Sequence, residues 1–443
     1  MRLTNAQPRS GLPPLQRLGG THPHLTTGRP VPPAAVAESV PVATINIAAI
    51  WLVLGGLLYN ALLAFLGARG MPINKAMVAG AEFLVLGGAG LALLRSGFRP
   101  IDTPALLLIG FFVLDALAVS LMSGLPFPDM ARNAAIIGLF VMLGARVDEL
   151  AVRRVFAIAA ALVFVILLLE CIDVKSYAAL LEPGRYFEVT RGISRFELDE
   201  IGLFANALGF DDRFSILNLV GHRTSSLFLE QVSLANFATV LTIFLVVMWP
   251  RLSWKVKLAY PLLIAMILVT NNSRTALAIA LVAPIVYYVA PKLPSIVTLL
   301  LVPMVLAAAV VVDLVAPPSR EDDLVGRLSL TVRTLKGLDA SALIGARAGE
   351  AANFLDSGYT FVIYASSLIG MIVLWLFLSF ISAGEGAAQR RASLMSGLYL
   401  FLNLTVSGTS VFSIKTAALL WLLVGFLREE ARATKAVAAP ATA

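Results

Sequence analysis

Three short stretches of this 443-residue chain set polar and ionisable side chains against long apolar runs. His222, Arg223 and Glu230 stand at the mouth of one run, Asn271, Asn272, Ser273 and Arg274 lie between two others, and Asp356, Ser357, Gly358 and Tyr359 open a fourth. A charge at such a boundary is costly unless it snorkels to water or meets a partner. Arginine carries a planar fork that matches phosphate oxygens two at a time, so Arg223 and Arg274 read as anion-binding groups. The plainer use of Asn271 to Thr275 is to cap two helices. Glu230, about one turn inside its run, and Asp356, at the edge of its own, are expected to be partly desolvated. Desolvation raises a carboxylate pKa and suits a group that takes a proton from a hydroxyl. A buried ion pair for Glu230 and a helix cap for Asp356 are the alternatives. His222 is a base on chemical grounds, and otherwise a hydrogen-bonding neighbour of the arginine.

Membrane helices must hold these groups. Hydrophobic residues make up 58% of the chain and charged residues 14%, and the mean hydropathy is +0.86. Those values exclude a soluble globular protein and imply an all-α, polytopic integral membrane protein. Twelve spans are expected, at about 43–68, 76–94, 104–123, 131–145, 150–171, 226–249, 256–271, 275–291, 295–315, 358–382, 392–408 and 412–427. The fourth is short and holds Arg132 and Asn133. Residues 1–42 are rich in Pro, Gly, Thr and Arg and read as a disordered tail with no signal peptide. Spans one to five fill 43–171, six to nine 226–315, and ten to twelve 358–427; hydrophilic segments occupy 172–225 and 316–357, and a short tail occupies 428–443.

The net charge of +7 is spread over short connections, the pattern of the positive-inside rule, and does not imply nucleic acid. Arg95 and Arg99, Arg146, Arg153 and Arg154, Arg251, Lys255 and Lys257, Lys292, Arg390 and Arg391, and Arg428 fall on one side if every span is real. That side, with both termini, reads as cytoplasmic, and both long segments lie outside. Omitting the fourth span would break the alternation. The single cysteine, Cys171, excludes an intrachain disulfide and a cysteine-based metal site, and three scattered histidines make no cluster, so neither metal nor cofactor is expected. Apolar residues from Phe196 to Leu208 recur at helical spacing, as do those among Arg327, Arg333, Lys336 and Arg347, so each outer segment is expected to carry a short amphipathic helix. The outer segments favour arginine over lysine, which suggests an anionic ligand such as a lipid diphosphate; pairing with their own carboxylates is the alternative.

Together these stretches resemble the O-antigen polymerase and ligase family over roughly residues 215–385. The resemblance rests on Arg223-Thr224-Ser225-Ser226-Leu227-Phe228 followed by Glu230 and Asn236, on Ser273-Arg274-Thr275-Ala276, and on Asp356-Ser357-Gly358-Tyr359 leading to Leu368-Ile369-Gly370. It implies an inner-membrane enzyme that handles undecaprenyl-diphosphate-linked glycans, as donor and acceptor, by metal-independent inverting transfer at the outer face. It assigns diphosphate binding to Arg223 and Arg274, with Arg327 or Arg333 as helpers, and calls for a base that activates the acceptor hydroxyl, for which Glu230, Asp356 and His222 are the candidates read from the residues. Membrane lipids, a chain-length regulator and a flippase are the partners it implies. Ligases of the family carry a His-Asn pair where this chain has Asp356-Ser357, which favours a polymerase, with Asp356 in the histidine's place. A glycan ligase is the second enzyme reading. A transporter or flippase of lipid-linked glycan, the rival of another class, should hold charges at mid-span and show repeated halves, whereas these spans are almost free of charge at their centres.

Overall fold

The computed structural model describes residues 42–193, 201–204, 207, 220–316 and 324–438. The N-terminal tail and most of the surface helix expected at 196–208 lie outside them. Among the described residues there are helices and no strands: α1 (Val42–Ala68), α2 (Lys75–Ser96), α3 (Thr103–Ser123), α4 (Asp129–Gly144), α5 (Glu149–Ile172), α6 (Val174–Leu181), α7 (Pro183–Arg191), α8 (Gln231–Met248), α9 (Trp254–Asn271), α10 (Arg274–Val289), α11 (Val297–Val315), α12 (Leu324–Lys336), α13 (Ala340–Leu343), α14 (Gly358–Ala365), α15 (Leu368–Phe380), α16 (Ala387–Asn403) and α17 (Ile414–Ala438). Eight of them, α1, α2, α3, α5 and α8 to α11, are long and apolar enough to cross a bilayer, and α14 with α15 makes a ninth if that bent pair is one span. The protein is therefore all-helical and of multi-pass membrane type.

The expected tenth span is not one straight helix. α14 and α15 meet at 120°, because Ser366 and Ser367 divert the backbone. The Ser366 hydroxyl donates to the Val362 carbonyl (2.7 Å), while Ser367 accepts the Gly370 N–H (3.0 Å) and donates to Asp115 of α3 (3.0 Å). Serines offer the backbone such alternatives to a continuous helix. The amphipathic helix expected among the outer arginines is α12. α6 and α7 are two helices within the expected hydrophilic segment 172–225, beyond the one surface helix expected there.

Helices also form at the expected fourth, eleventh and twelfth spans, but α4 has 16 residues, α16 has 17, and the apolar part of α17 ends at Arg428. These are interior helices. A β-carbon on Gly425 of α17 would collide with the Val141 carbonyl of α4, and Gly144 faces Leu422 and Gly425 as closely. Small residues let backbones approach in this way. α8, the helix that Glu230 precedes, is buried almost all round. Large apolar side chains such as Trp51, Leu84, Leu121 and Leu314 point outward from α1, α2, α3 and α11, as a hydrocarbon solvent requires.

Hydrogen bonds sort the helix ends into two faces. At one, Arg146 binds Asp102, Ser96 and Gly97, Arg251 reaches Glu149 and Glu430, and Arg390 donates to the Pro291 carbonyl. Each of these arginines thus binds at helix ends of that face. The opposite face carries the polar stretches.

Candidate functional site

The stretch from His222 to Glu230 reaches α8 as a tight loop wrapped around one buried carboxylate. Glu170, near the end of α5, accepts the backbone N–H of Ser225 (3.0 Å) and of Ser226 (2.6 Å) and lies 3.5 Å from His222 Nε2. Tyr177 of α6 adds hydrogen bonds to the Ser225 hydroxyl (2.9 Å) and the Ser226 carbonyl (2.8 Å). Within this wrap Ser226 and Leu229 take left-handed backbone angles, φ 49 and 63. Such angles are strained for residues with a β-carbon and persist only where surrounding bonds hold them. The sequence did show Glu170 as a lone carboxylate in the apolar run Leu167-Leu168-Leu169-Glu170-Cys171-Ile172, which is the signal that should have marked it.

The same loop is stitched to the end of α9. The Thr224 N–H donates to the Thr270 carbonyl (3.1 Å), the two threonine hydroxyls bond each other (2.8 Å), and Asn271 Nδ2 donates to the carbonyls of Thr224 (2.6 Å) and Gln231 (2.9 Å). Arg223, buried, donates through Nε to the Asn271 carbonyl (3.0 Å). Asn272 then turns left-handed, φ 58, and Ser273 caps α10, whose first residue is the exposed Arg274. The structure therefore brings the first two stretches together and sets both arginines about the N-terminus of α10. Unpaired N–H groups there and the helix dipole favour an anion.

Glu230 departs from expectation. It precedes α8 rather than lying one turn inside it, and it holds an ion pair on each side: Arg191, at the end of α7, at 3.1 Å, and Lys415, at the start of α17, at 3.0 Å. Burial raises its pKa, but Lys415 and Arg191 outweigh burial and hold the carboxyl well below the usual range. The expected raised value is thus corrected: two cations decide, not desolvation. Ser233 completes the tie by donating to Glu230 Oε2 (3.1 Å). Lys415 is not among the candidates expected from sequence, although a lone lysine just inside the expected twelfth span is a charge in need of a partner.

The third stretch forms its own network. Asp356 is 67% exposed and lies 3.4 Å from Arg327 of α12, which also donates to the Val406 carbonyl (2.7 Å). Asp356 is not the cap of α14, since Ser357 occupies that position and bonds Thr360 (2.9 Å) and Thr334 (3.1 Å). Arg333 is exposed, its Nε donating to the Ser329 carbonyl of its own helix (3.3 Å); among the described residues no bond joins it to another candidate. The loop from α16 to α17 links this network to the Glu230 tie. Its Thr405 and Val406 carbonyls accept from Thr331 and Arg327, its Gly408 N–H donates to the Leu355 carbonyl, and it leads into Lys415. The arrangement is a polar face with cationic groups on three supports: the Arg223 loop and α9–α10 turn, the Glu230 tie, and α12. Compared with protein-family models, curated proteins and solved structures, the chain gave no match.

Proposed function

We propose that this chain is a polysaccharide polymerase, an inverting glycosyltransferase that joins undecaprenyl-diphosphate-linked oligosaccharide repeat units at the periplasmic face of the bacterial inner membrane. On this reading it supplies exopolysaccharide, capsule or O-antigen. Twelve spans cross the bilayer, counting α4, α16, α17 and the bent α14–α15 pair, and both termini are cytoplasmic. The observation that supports it most is the docking of the Arg223 loop on the α9–α10 turn, which puts Arg223 and Arg274 at the start of one helix. A diphosphate leaving group calls for that charge pattern.

In the reaction, a hydroxyl oxygen of the acceptor's non-reducing sugar attacks the anomeric carbon of the donor. The bond from that carbon to the diphosphate oxygen breaks, the lipid diphosphate leaves with the electron pair, and the hydroxyl proton passes to a base. Direct displacement inverts the anomeric centre. Asp356 suits the base because it is the exposed carboxylate of the three candidates, whereas Glu230 is held ionised by two cations and His222 is buried beside Glu170.

Purified protein supplied with lipid-diphosphate-linked repeat units should yield a ladder of lipid-linked oligomers, and Arg223→Ala and Arg274→Ala should each remove most of it. Full ladders from both variants at normal expression would sink the assignment of the site. Transfer to added lipid A core without a ladder would indicate a ligase, and no transfer from active substrate would indicate transport.

A further inference from the structure

The Glu230 tie holds more positive charge than a structural tie needs. One carboxylate meets two cations, Arg191 at 3.1 Å and Lys415 at 3.0 Å, and all three side chains are at least half enclosed: Lys415 is 3% exposed, Glu230 18% and Arg191 42%. Among the described residues, Glu82 of α2 is a further carboxylate that acts on Lys415. Glu82 is already taken up by Arg132 of α4 through two hydrogen bonds of 2.9 and 2.6 Å. Asp129 acts on Arg132 and Glu82 rather than on the tie. Among the described residues, then, one surplus positive charge sits around a buried lysine. An enclosed charge without a counter-charge is costly.

We propose that Arg191 and Lys415, sharing Glu230, form a second anion-binding site of phosphate class, distinct from Arg223 and Arg274. Arg191, stacked on Phe187 at 4.6 Å, spends two of its five N–H donors on the Glu230 oxygens (3.1 and 3.3 Å) and offers the others to a ligand, and Lys415 is the fixed charge behind it. A ligand draws Arg191 outward while Lys415 keeps Glu230 compensated. The two sites adjoin, since Gln231, next to Glu230, donates to the Arg223 carbonyl (3.4 Å). In a reaction between two lipid-linked diphosphates, the second site holds the diphosphate of the acceptor. That assignment rests on the polymerase reading; the anion site does not.

The test is calorimetric titration of the detergent-purified full chain with inorganic pyrophosphate, which needs no turnover. Wild type should bind at two sites. Arg191→Gln should lose one, or weaken it at least tenfold, with a small drop in melting temperature, because the α7 link is lost while Glu230 and Lys415 remain a neutral pair. Arg223→Ala/Arg274→Ala should lose the other and keep the Arg191-dependent one. Unchanged pyrophosphate binding by Arg191→Gln overturns the proposal, and so does a collapse of its melting temperature, which would make the pair purely structural. Repeating the titration in nanodiscs of phosphatidylcholine and of phosphatidylglycerol separates the sources of the anion. Equal binding in both supports the diphosphate, and loss of the Arg191-dependent site in phosphatidylglycerol alone overturns the acceptor assignment in favour of a lipid headgroup. Two pyrophosphate sites in a protein that makes no ladder would keep the anion site and discard the polymerase.

Discussion

Arg223 and Arg274 differ in how they are held, so their variants should separate binding from folding. Arg274 is exposed at the first residue of α10, and Arg274→Ala should weaken donor binding by about 1.5–3 kcal/mol, the worth of a charge-assisted hydrogen bond, with little change in melting temperature. Arg223 is buried and braces the α9 end through the Asn271 carbonyl, so Arg223→Ala should lower both donor affinity and stability. Equal loss of stability in the two variants would contradict the difference in burial. Glu230 makes a pH prediction. Its folded-state pKa lies below the ordinary 4.5, so the stabilisation it confers is complete above that value and is lost as the pH falls below it. The gap in melting temperature between wild type and Glu230→Gln should therefore stay level from about pH 8 to 5.5 and close in more acid solution. For the same reason an acid limb in the activity profile between those pH values belongs to another group.

The helix ends opposite the site are closed by a saturated guanidinium. Arg146, after α4, donates to the Ser96 hydroxyl (2.8 Å), to the Gly97 and Met142 carbonyls (2.6 and 2.8 Å) and to both oxygens of Asp102 (2.9 and 2.6 Å), with neither partner exposed. Removing one member of a buried pair strands the other, so Arg146→Ala should cost about 3–5 kcal/mol of stability. Replacing both, as Arg146→Met with Asp102→Leu, should lie closer to wild type in a thermal melt. A double variant worse than the single would show that the pair itself, rather than the stranded charge, carries the effect. These bonds join α2, α3 and α4 at one level, which fixes the height at which α4 starts on the far side. The Glu230 tie does the same there for α7, α8 and α17.

For the whole molecule, the proposed topology makes the two faces defined by hydrogen bonds the two sides of a membrane. With Cys171→Ala as background, Lys175→Cys and Asp339→Cys should react with a membrane-impermeant thiol reagent in intact cells with permeabilised outer membranes. Lys255→Cys and Arg432→Cys should react only after lysis. Labelling of Lys175→Cys and Lys255→Cys from the same side would remove the twelve-span count, because that count puts a single crossing, α8, between them.

The all-helical membrane class and most helix positions were legible in the amino-acid sequence. Those follow from local demands: a bilayer requires long apolar runs with satisfied backbones, and the short connections carry the basic residues. Asn271 to Arg274 was readable as a turn and cap because capping acts over a few residues. Only the tertiary structure decided which polar groups meet. Glu230 reads alone as a desolvated base, yet Arg191, 39 residues before it, and Lys415, 185 residues after it, make it an ion-pair hub. Glu170 reads as an isolated acid in a span, yet it holds the Arg223 loop from 55 residues away. Charge compensation depends on distance in space, and helix pattern along the chain does not encode which helices become neighbours.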